Sequence, residues 1–284
     1  MRLGINTFLF ACPFTNQSTR WFARFKKWGF ETVEISVESP ARCDPAFVKA
    51  QLDKHGLKCG SVTPCLGPDK DLRGTAAQQR AGVDFMKKTI DVMLALDCPS
   101  LIGALYSLVG RCEAVPAPER RRQWKTVAAN LRELCLYAAE HNRILALEPL
   151  NRFETDFINT CEQALQMIHD VGSPALKLHL DTFHMNIEEK DPARAIRKAG
   201  RHLGHFHACG CDRGTPGKDH IDWQSIAAAL KAIRYEGDVV IESFTADNKV
   251  IARAASIWRQ IEPTREEIAC DGVKFLRRIL KSSP

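Results

Sequence analysis

Four apolar stretches of the sequence each end in a residue whose side chain can bind a metal ion. The residues are Glu148 in ILALEP, Asp181 in LKLHLD, His207 in GHFHAC and Glu242 in DVVIES. An ionised carboxylate that leaves water without a partner costs several kcal/mol of free energy, so a positive charge is expected close to these side chains. Three carboxylates and one imidazole form an oxygen-rich set, which suits Mn²⁺, Co²⁺ or Mg²⁺ better than an ion that prefers thiolates. The sequence therefore predicts a divalent metal site.

These stretches belong to a series of eight predicted strands that alternate with helical patterns. The helical patterns, such as AAQQRAGVDFMKKTIDVMLALD, repeat their apolar residues with the period of an α-helix. Strands that alternate with helices form parallel sheets. Eight such units predict an α/β fold, the (β/α)8 TIM barrel. The predicted strands are residues 2–8, 32–37, 58–64, 100–106, 144–150, 176–182, 203–209 and 238–244.

The chain is expected to form a single domain of residues 1–284 with a C-terminal helical extension. α/β barrels commonly reach this length without dividing into two domains. A Rossmann sheet is the less favoured alternative, because the first predicted strand leads into NTFLFACPF. That segment has no glycine-rich fingerprint at the start of a helix.

The barrel prediction places the four ligand-type residues together. Catalytic groups of this fold lie at the carboxyl ends of the strands and on the loops that follow. A single acid at a strand end is commonly a salt-bridge partner or a helix N-cap. Four ligand-type residues on four consecutive strands favour one shared metal site over four unrelated structural roles.

Three residues on the following loops are candidates for contacts with a substrate. They are Glu154 after the fifth strand, His184 after the sixth and Arg213 after the seventh. Glu154 lies beyond its strand and suits a substrate hydroxyl better than the ion. A loop arginine or histidine is also commonly an ordinary solvated residue, and His205 has an alternative role as a hydrogen-bond partner within the metal site.

Aromatic residues near the N-terminus have two alternative roles. Phe8 and residues 10–14 are candidates for lining the far end of a pocket, with core packing as the alternative. A second set falls at helical spacing and is expected to pack in the core. That set is Trp21, Phe22, Phe25 and Trp28.

Composition excludes several classes of protein. The net charge of +6 is spread along amphipathic helices, and the densest basic segment, ERRR at 119–122, is typical of a solvated helix face, so no nucleic-acid partner is expected. No apolar run approaches the roughly 20 residues that span a bilayer, so no membrane association is expected. The N-terminal segment has no signal-peptide pattern, and eleven cysteines without paired zinc spacing fit reduced thiols. A cytoplasmic location is expected, with Cys209 and Cys211 as small loop residues.

Several motifs together resemble the ketose 3-epimerases, a family within the xylose-isomerase-like barrels. The motifs are EPLNRFE, LDTFHMNIEE, LGHFH followed by DRGTPGK, and VVIESF. That family includes D-tagatose, D-allulose (psicose) and L-ribulose 3-epimerases. The resemblance implies a small-molecule ketose substrate and a homodimer or homotetramer.

The resemblance also implies a role for each candidate residue. The expected reaction is metal-dependent epimerisation of free ketoses at C3 through a cis-enediolate, with Mn²⁺ or Co²⁺ as the preferred ion and Mg²⁺ as the third candidate. Glu148 and Glu242 would be the catalytic acid/base pair. The implied metal ligands are Glu148, Asp181, His207 and Glu242, and the implied substrate contacts are Glu154, His184 and Arg213.

The sequence departs from the family pattern near the far end of the sugar, where it has Leu108, Val109 and Gly210. The preferred ketose therefore stays open. Four alternatives also stay open. They are an aldose–ketose or hydroxypyruvate-type isomerase, a sugar-phosphate epimerase using Lys218 and Arg213, an apurinic-endonuclease-like phosphodiesterase, and a sugar-binding barrel without turnover.

Overall fold

Eight parallel strands pair in chain order and close into a barrel in the computed structural model, which describes residues 1–282. The last strand pairs with the first, so that Ile241 lies beside Ile5. This arrangement confirms the prediction of a single-domain (β/α)8 barrel. The strands are β1 Arg2–Asn6, β2 Thr32–Val37, β3 Lys58–Pro64, β4 Ser100–Gly103, β5 Ile144–Leu147, β6 Leu176–Asp181, β7 Leu203–His207 and β8 Asp238–Ile241.

Most strands end earlier than predicted. The fifth and eighth predicted strands extend three residues beyond β5 and β8, so Glu148 and Glu242 are the first residues after their strands. The apolar pattern misleads here because Leu150, in the loop after β5, is buried and donates its backbone N–H to Ile158. Hydrophobicity alone does not distinguish a buried loop residue from a strand residue.

Ten α-helices in the described part of the chain cover the outside of the barrel and its loops. Side-chain caps define several of their starts: Thr75 accepts a hydrogen bond from the backbone of Gln78, whose side chain accepts one in return from the backbone of Thr75. The helices are α1 Phe22–Trp28, α2 Pro45–Lys54, α3 Ala76–Ala95, α4 Ala117–Glu140, α5 Cys161–Val171, α6 Thr182–Glu188, α7 Pro192–Ala199, α8 Trp223–Ala232, α9 Lys249–Ala254 and α10 Arg265–Ser282.

The last helix, α10, packs against β1, β8, α1 and α8 and covers the barrel where its first and last strands meet. No helix within residues 1–282 is long and apolar enough to cross a membrane. The assignment of residues 1–284 to one barrel with a C-terminal helical extension stays a prediction, because residues 283 and 284 lie outside the described part.

An aromatic cluster packs beneath the loop after β1. Phe25 lies 5.1 Å from Phe10 and 6.0 Å from Trp28 between ring centroids, and Phe10 lies 4.7 Å from Trp21. Edge-to-face and tilted pairs at these distances are favourable beyond their burial. The packing role that was predicted for the aromatic residues of segment 21–28 is therefore observed, and Phe10 belongs to the same cluster. Phe8 instead packs with Phe244 in a second, smaller apolar cluster.

We expect Phe25→Ala to lower the free energy of unfolding by about 3–5 kcal/mol, because a large aromatic side chain leaves a cavity in a packed core. Phe25 is 1% exposed. The matched control is Phe47→Ala on α2, at a position 39% exposed, where the same substitution should cost much less. Urea unfolding followed by circular dichroism compares the two variants. Equal losses of stability would contradict the core role of Phe25.

Candidate metal centre and active site

Glu148, Asp181, His207 and Glu242 converge at the carboxyl end of the barrel, and together they are called the ligand cluster here. One ligand atom from each residue lies within 4.8 Å of the others. All four residues are buried. The structure therefore brings together the four side chains that the sequence placed at consecutive strand ends.

The backbone ladder of the barrel holds these residues side by side. Asp181 and His207 are direct partners in the pairing of β6 with β7. The backbone N–H of Glu148 bonds to the carbonyl of Gly103 at 3.0 Å, which fixes the start of the loop after β5 to the end of β4. Because neighbouring parallel strands end at the same rim, the side chains that follow their last ladder bonds point into a common space.

Burial and mutual repulsion act on the carboxylates of the ligand cluster. Burial, together with the charge of Glu242, raises the pKa of Glu148 well above its usual value. Burial also raises the pKa of Asp181, but the charges of Arg213 and His207 outweigh burial and hold that pKa well below its usual value. The cluster thus combines an ionised Asp181 with a Glu148 that retains a proton more readily than a free carboxyl group.

Two atoms of the ligand cluster lack partners that a cation would supply. Glu148 Oε1 and His207 Nδ1 are buried and make no hydrogen bond. His207 Nδ1 lies 3.2 Å from Glu242, but without the geometry of a hydrogen bond. A buried polar atom without a partner costs free energy, and both atoms are ordinary ligands of divalent ions. The donor set therefore fits a divalent metal ion bound by these four residues.

Arg213 lies against the ligand cluster. Its Nη1 donates to Asp181 at 2.6 Å and to Glu242 at 3.0 Å. Its guanidinium also packs over the rings of Phe183 and Phe244, at 4.1 Å and 4.9 Å from their centroids. The backbone of Arg213 has a φ of 68°, a left-handed conformation that costs free energy for a residue with a Cβ. This conformation directs the long side chain from the loop after β7 back into the mouth of the barrel.

Asn151 connects the other two predicted substrate residues. Its side-chain amide donates to Glu154 at 2.8 Å, and its backbone N–H donates to Nδ1 of His184 at 3.0 Å. Burial and the charge of Arg213 lower the pKa of His184, which keeps the imidazole neutral. Nε2 of the same ring lies 3.0 Å from Nη2 of Arg213, so both ring nitrogens face N–H donors. Arg152, which stands beside Asn151 in the sequence, points outward and pairs with Glu188.

Glu34 on β2 is a residue of the site that the sequence analysis missed. It is 0% exposed and accepts hydrogen bonds from Asn6 at 2.6 Å and from His207 Nε2 at 2.9 Å. Burial raises its pKa, but His207 and His205 outweigh burial and hold the pKa well below its usual value. The available signal was the carboxylate inside the apolar segment TVEISV, which is the same kind of anomaly as the one that identified Glu148.

The cysteines near the site do not form a metal site with each other. The two ligand-type groups found among residues 1–282 contain neither Cys209 nor Cys211, and all eleven cysteines are free thiols. Burial and the charge of Asp181 raise the pKa of Cys209 well above its usual value, so its sulfur stays protonated. The Sγ atom lies 3.3 Å from Asp181, where it packs behind the metal ligand.

Comparison with known proteins gives one consistent result. The family model described as xylose isomerase-like TIM barrel matches residues 22–279. A probable ketose 3-epimerase of Synechocystis sp. is 33% identical over 291 residues, covering 100% of this chain and 98% of that protein. A D-psicose 3-epimerase of Enterocloster bolteae is 35% identical over 272 residues, covering 91% and 89%. The crystal structure of a D-allulose 3-epimerase from Methylomonas sp. has a TM-score of 0.92 at 29% identity, covering 99% of this chain and 98% of that chain.

We expect metal binding to release protons and to strengthen as the pH rises from about 5 to about 8. The raised pKa of Glu148 keeps a proton on that carboxyl group at the low end of this range. Burial lowers the pKa of His207, but the charges of Glu34 and Glu242 outweigh burial and raise it well above its usual value. A metal ion must displace the protons of both Glu148 and His207. The affinity for the ion is therefore lowest at the low end of the pH range, where both groups are protonated.

Calorimetric titration with Mn²⁺ in two buffers of different ionisation enthalpy counts the protons released. The exposed Glu113→Gln variant serves as a control and should release as many protons as the wild-type protein. An affinity that does not change over this pH range, with no proton release, would contradict the expected protonation of the ligand cluster.

Proposed function

The chain belongs to the xylose isomerase-like TIM barrels and, within them, to the ketose 3-epimerases, and from this premise we propose that it epimerises free ketoses at C3 with a bound divalent ion. Its named relatives are isomerases that act on small ketoses. The observation that carries the proposal is the ligand cluster, which combines two glutamates with Asp181 and His207 in one buried site. The proposed substrates are of the D-tagatose, D-fructose, D-allulose and L-ribulose type.

The ligand cluster would hold the ion through its three carboxylates and one imidazole, and Mn²⁺ or Co²⁺ suits this set best, with Mg²⁺ as the third candidate. When bound, the ion would polarise the C2 carbonyl of the ketose and so make the hydrogen on C3 acidic. The proposed intermediate of the sugar is a cis-enediolate.

Glu148 and Glu242 are the proposed acid/base pair. They follow β5 and β8, which are separated in the barrel by β6 and β7, so they approach the centre from different sides. Epimerisation requires that a proton leave one face of C3 and that another arrive on the opposite face. One carboxylate on each side meets this requirement without rotation of the sugar, and positioned acid/base groups of this kind contribute about 10² to 10⁴ in rate.

Glu154, His184 and Arg213 are the proposed substrate contacts. The imidazole of His184, which lies beside Arg213, can exchange a hydrogen bond with a sugar oxygen, and Glu154 is an acceptor suited to a sugar hydroxyl. Both are oriented by Asn151. Arg213 supplies a buried positive charge beside Asp181 and Glu242, where negative charge develops on the sugar oxygens.

The contacts of the basic residues favour free sugars over sugar phosphates. Lys218, the lysine considered for a phosphate, lies 3.1 Å from Asp271 and 3.5 Å from Glu262. Arg213 is likewise engaged by two carboxylates. A trinuclear phosphodiesterase site needs more ligands than this mouth offers, because the two ligand-type groups within residues 1–282 share His207.

A cytoplasmic location stays a prediction, and so does assembly into a homodimer or homotetramer. The preferred ketose also stays open, and Val109, named above for the far end of the sugar, is 51% exposed.

We expect the Mn²⁺-loaded protein in D₂O to place deuterium at C3 of the recovered ketose and to leave C1 largely unlabelled. Exchange through a C2–C3 enediolate requires this pattern. D-fructose, D-tagatose, D-allulose and L-ribulose serve as substrates, and NMR locates the label. Label mainly at C1, with an aldose as the accumulating product, would identify an aldose–ketose isomerase instead.

The same assay separates the two glutamates. Glu148→Gln and Glu242→Gln should each abolish net epimerisation, while the remaining carboxylate still exchanges the C3 hydrogen of the epimer whose proton faces it. Metal content is measured in each variant before the rates are compared, because both residues are also proposed ligands. Net epimerisation at the wild-type rate in either variant with its metal bound would contradict the two-base mechanism.

We expect Glu154→Gln to lower kcat/KM by about 10–100-fold, the loss that follows when a hydrogen bond to a charged group is weakened. Metal content should stay at one ion per chain, because Glu154 lies outside the ligand cluster. Steady-state kinetics and metal analysis are compared with those of Glu113→Gln, an exposed glutamate on the neighbouring loop. Loss of the ion in Glu154→Gln would reassign Glu154 to the metal site.

A further inference from the structure

Glu34 is the most completely hydrogen-bonded carboxylate beneath the ligand cluster. It lies on β2, and its side chain reaches across the barrel interior to residues of β7. Its Oε1 accepts from Asn6 Nδ2 at 2.6 Å, and its Oε2 accepts from Ser61 Oγ at 2.5 Å. His207 Nε2 lies 2.9 Å and 3.1 Å from the two oxygens, and His205 Nε2 lies 2.8 Å from Oε2. A fully buried carboxylate with several donors around it is a stable anion.

This anion determines which nitrogen of His207 carries a proton. Since an ionised carboxylate only accepts hydrogen bonds, the nitrogen that faces Glu34 must be the protonated Nε2. In a singly protonated ring the other nitrogen, Nδ1, is then the free acceptor. Nδ1 is the atom that faces the ligand cluster, where it lies 3.2 Å from Glu242 and 3.8 Å from Asp181.

Asn6 extends the same support to a second ligand. Its amide nitrogen donates to Glu34 at 2.6 Å and to Glu242 Oε1 at 2.9 Å. Its Oδ1 accepts from the backbone N–H of Phe8 at 2.7 Å, which fixes the orientation of the amide. Oε1 of Glu242 is thus held from below, while Oε2 points to the other members of the ligand cluster.

We propose that Glu34 is a positioning residue for the metal centre: it holds the Nε2 proton of His207 and so presents unprotonated Nδ1 to the ion. The inference rests on the proposed metal centre and adds a residue that does not touch the ion or the sugar. A carboxylate behind a ligating histidine fixes the ring orientation and raises its basicity, and removal of such a partner typically weakens metal binding by about 10–100-fold.

A second ion bound by His179, His205 and His207 is the alternative use of this region. One nitrogen from each of these residues lies within 4.8 Å of the others. The contacts favour support of a single ion, because Nε2 of His207 is already bonded to Glu34. His179 packs its ring edge-to-face against His207 at 4.1 Å, and burial lowers its pKa well below the usual value, so it stays neutral.

The first test uses the wild-type protein with ¹⁵N-labelled histidine, loaded with diamagnetic Mg²⁺ or Zn²⁺. The signal of His207, identified by its loss in His207→Gln, should show a protonated Nε2 and a metal-bound Nδ1. A metal-bound Nε2, or a proton on Nδ1 of the loaded protein, would overturn the proposal. This test does not depend on the folding of a Glu34 variant.

The second test measures Mn²⁺ affinity by calorimetry in Glu34→Gln, in Glu34→Asp and in the control Glu31→Gln, which alters an exposed glutamate just before β2. Glu34→Gln keeps the shape but places an amide N–H among donors, and it should weaken Mn²⁺ binding by about 10–100-fold. At saturating Mn²⁺ its KM for the ketose should stay near the wild-type value. Glu34→Asp keeps the charge and should fall between Glu34→Gln and the wild-type protein, and the control should match the wild-type protein.

The outcomes separate this inference from the proposed function. If the wild-type protein binds no Mn²⁺, the metal centre itself is wrong, and the inference fails with it. If the wild-type protein binds one ion and folded Glu34→Gln binds it equally tightly, only the role of Glu34 is wrong. Two ions per wild-type chain would assign the histidines to a second site and would overturn the proposal.

Discussion

Mutual repulsion among the three buried carboxylates of the ligand cluster is the interaction on which the rest of the site depends. Two unit charges about 4 Å apart interact by about 4 kcal/mol at an effective dielectric constant of about 20. Three carboxylates in one buried cluster are therefore unfavourable unless positive charge or protons compensate them. Arg213 compensates Asp181 and Glu242 directly, and Glu148 responds with a raised pKa. A divalent ion would provide further compensation and would bring all three carboxylates into the ionised state.

The barrel makes this arrangement possible because β5 to β8 are neighbours whose carboxyl ends meet at one rim. Below the ligand cluster lies a layer of buried polar side chains. Within the polar layer, Glu34 accepts from His207, and Asn6 donates to both Glu34 and Glu242. The loops after β5 and β7 then add Glu154 and Arg213 above the centre, and the first turn of α6 adds His184. The site is thus built in three levels, with the proposed sugar contacts furthest from the core.

Much of this architecture could be predicted from the sequence. The strands can be predicted because each apolar run is flanked by segments with helical periodicity. The metal ligands can be predicted because a carboxylate or an imidazole stands at the end of each of four apolar runs. The exact strand ends could not be predicted, since buried loop residues such as Leu150 share the hydrophobicity of strand residues.

Glu34 was not predicted as a site residue because it lies in the second strand, away from the four consecutive strand ends that indicated the metal ligands. Its role depends on a contact across the barrel with His207, which neither spacing nor periodicity contains. Arg213 bonds directly to Asp181 and Glu242. These bonds depend on the left-handed backbone conformation of Arg213 itself, which no local sequence pattern predicts.

Anomalous diffraction from crystals of the Mn²⁺-loaded protein tests the central claim, that these buried carboxylates exist to hold a cation. One anomalous peak per chain is expected in the mouth of the barrel. Oxygens of the three carboxylates and Nδ1 of His207 should lie within about 2.4 Å of it, the range of ordinary metal–ligand bonds. A peak bound instead to His179 and His205, or a fully loaded crystal with no peak in the ligand cluster, would contradict that claim.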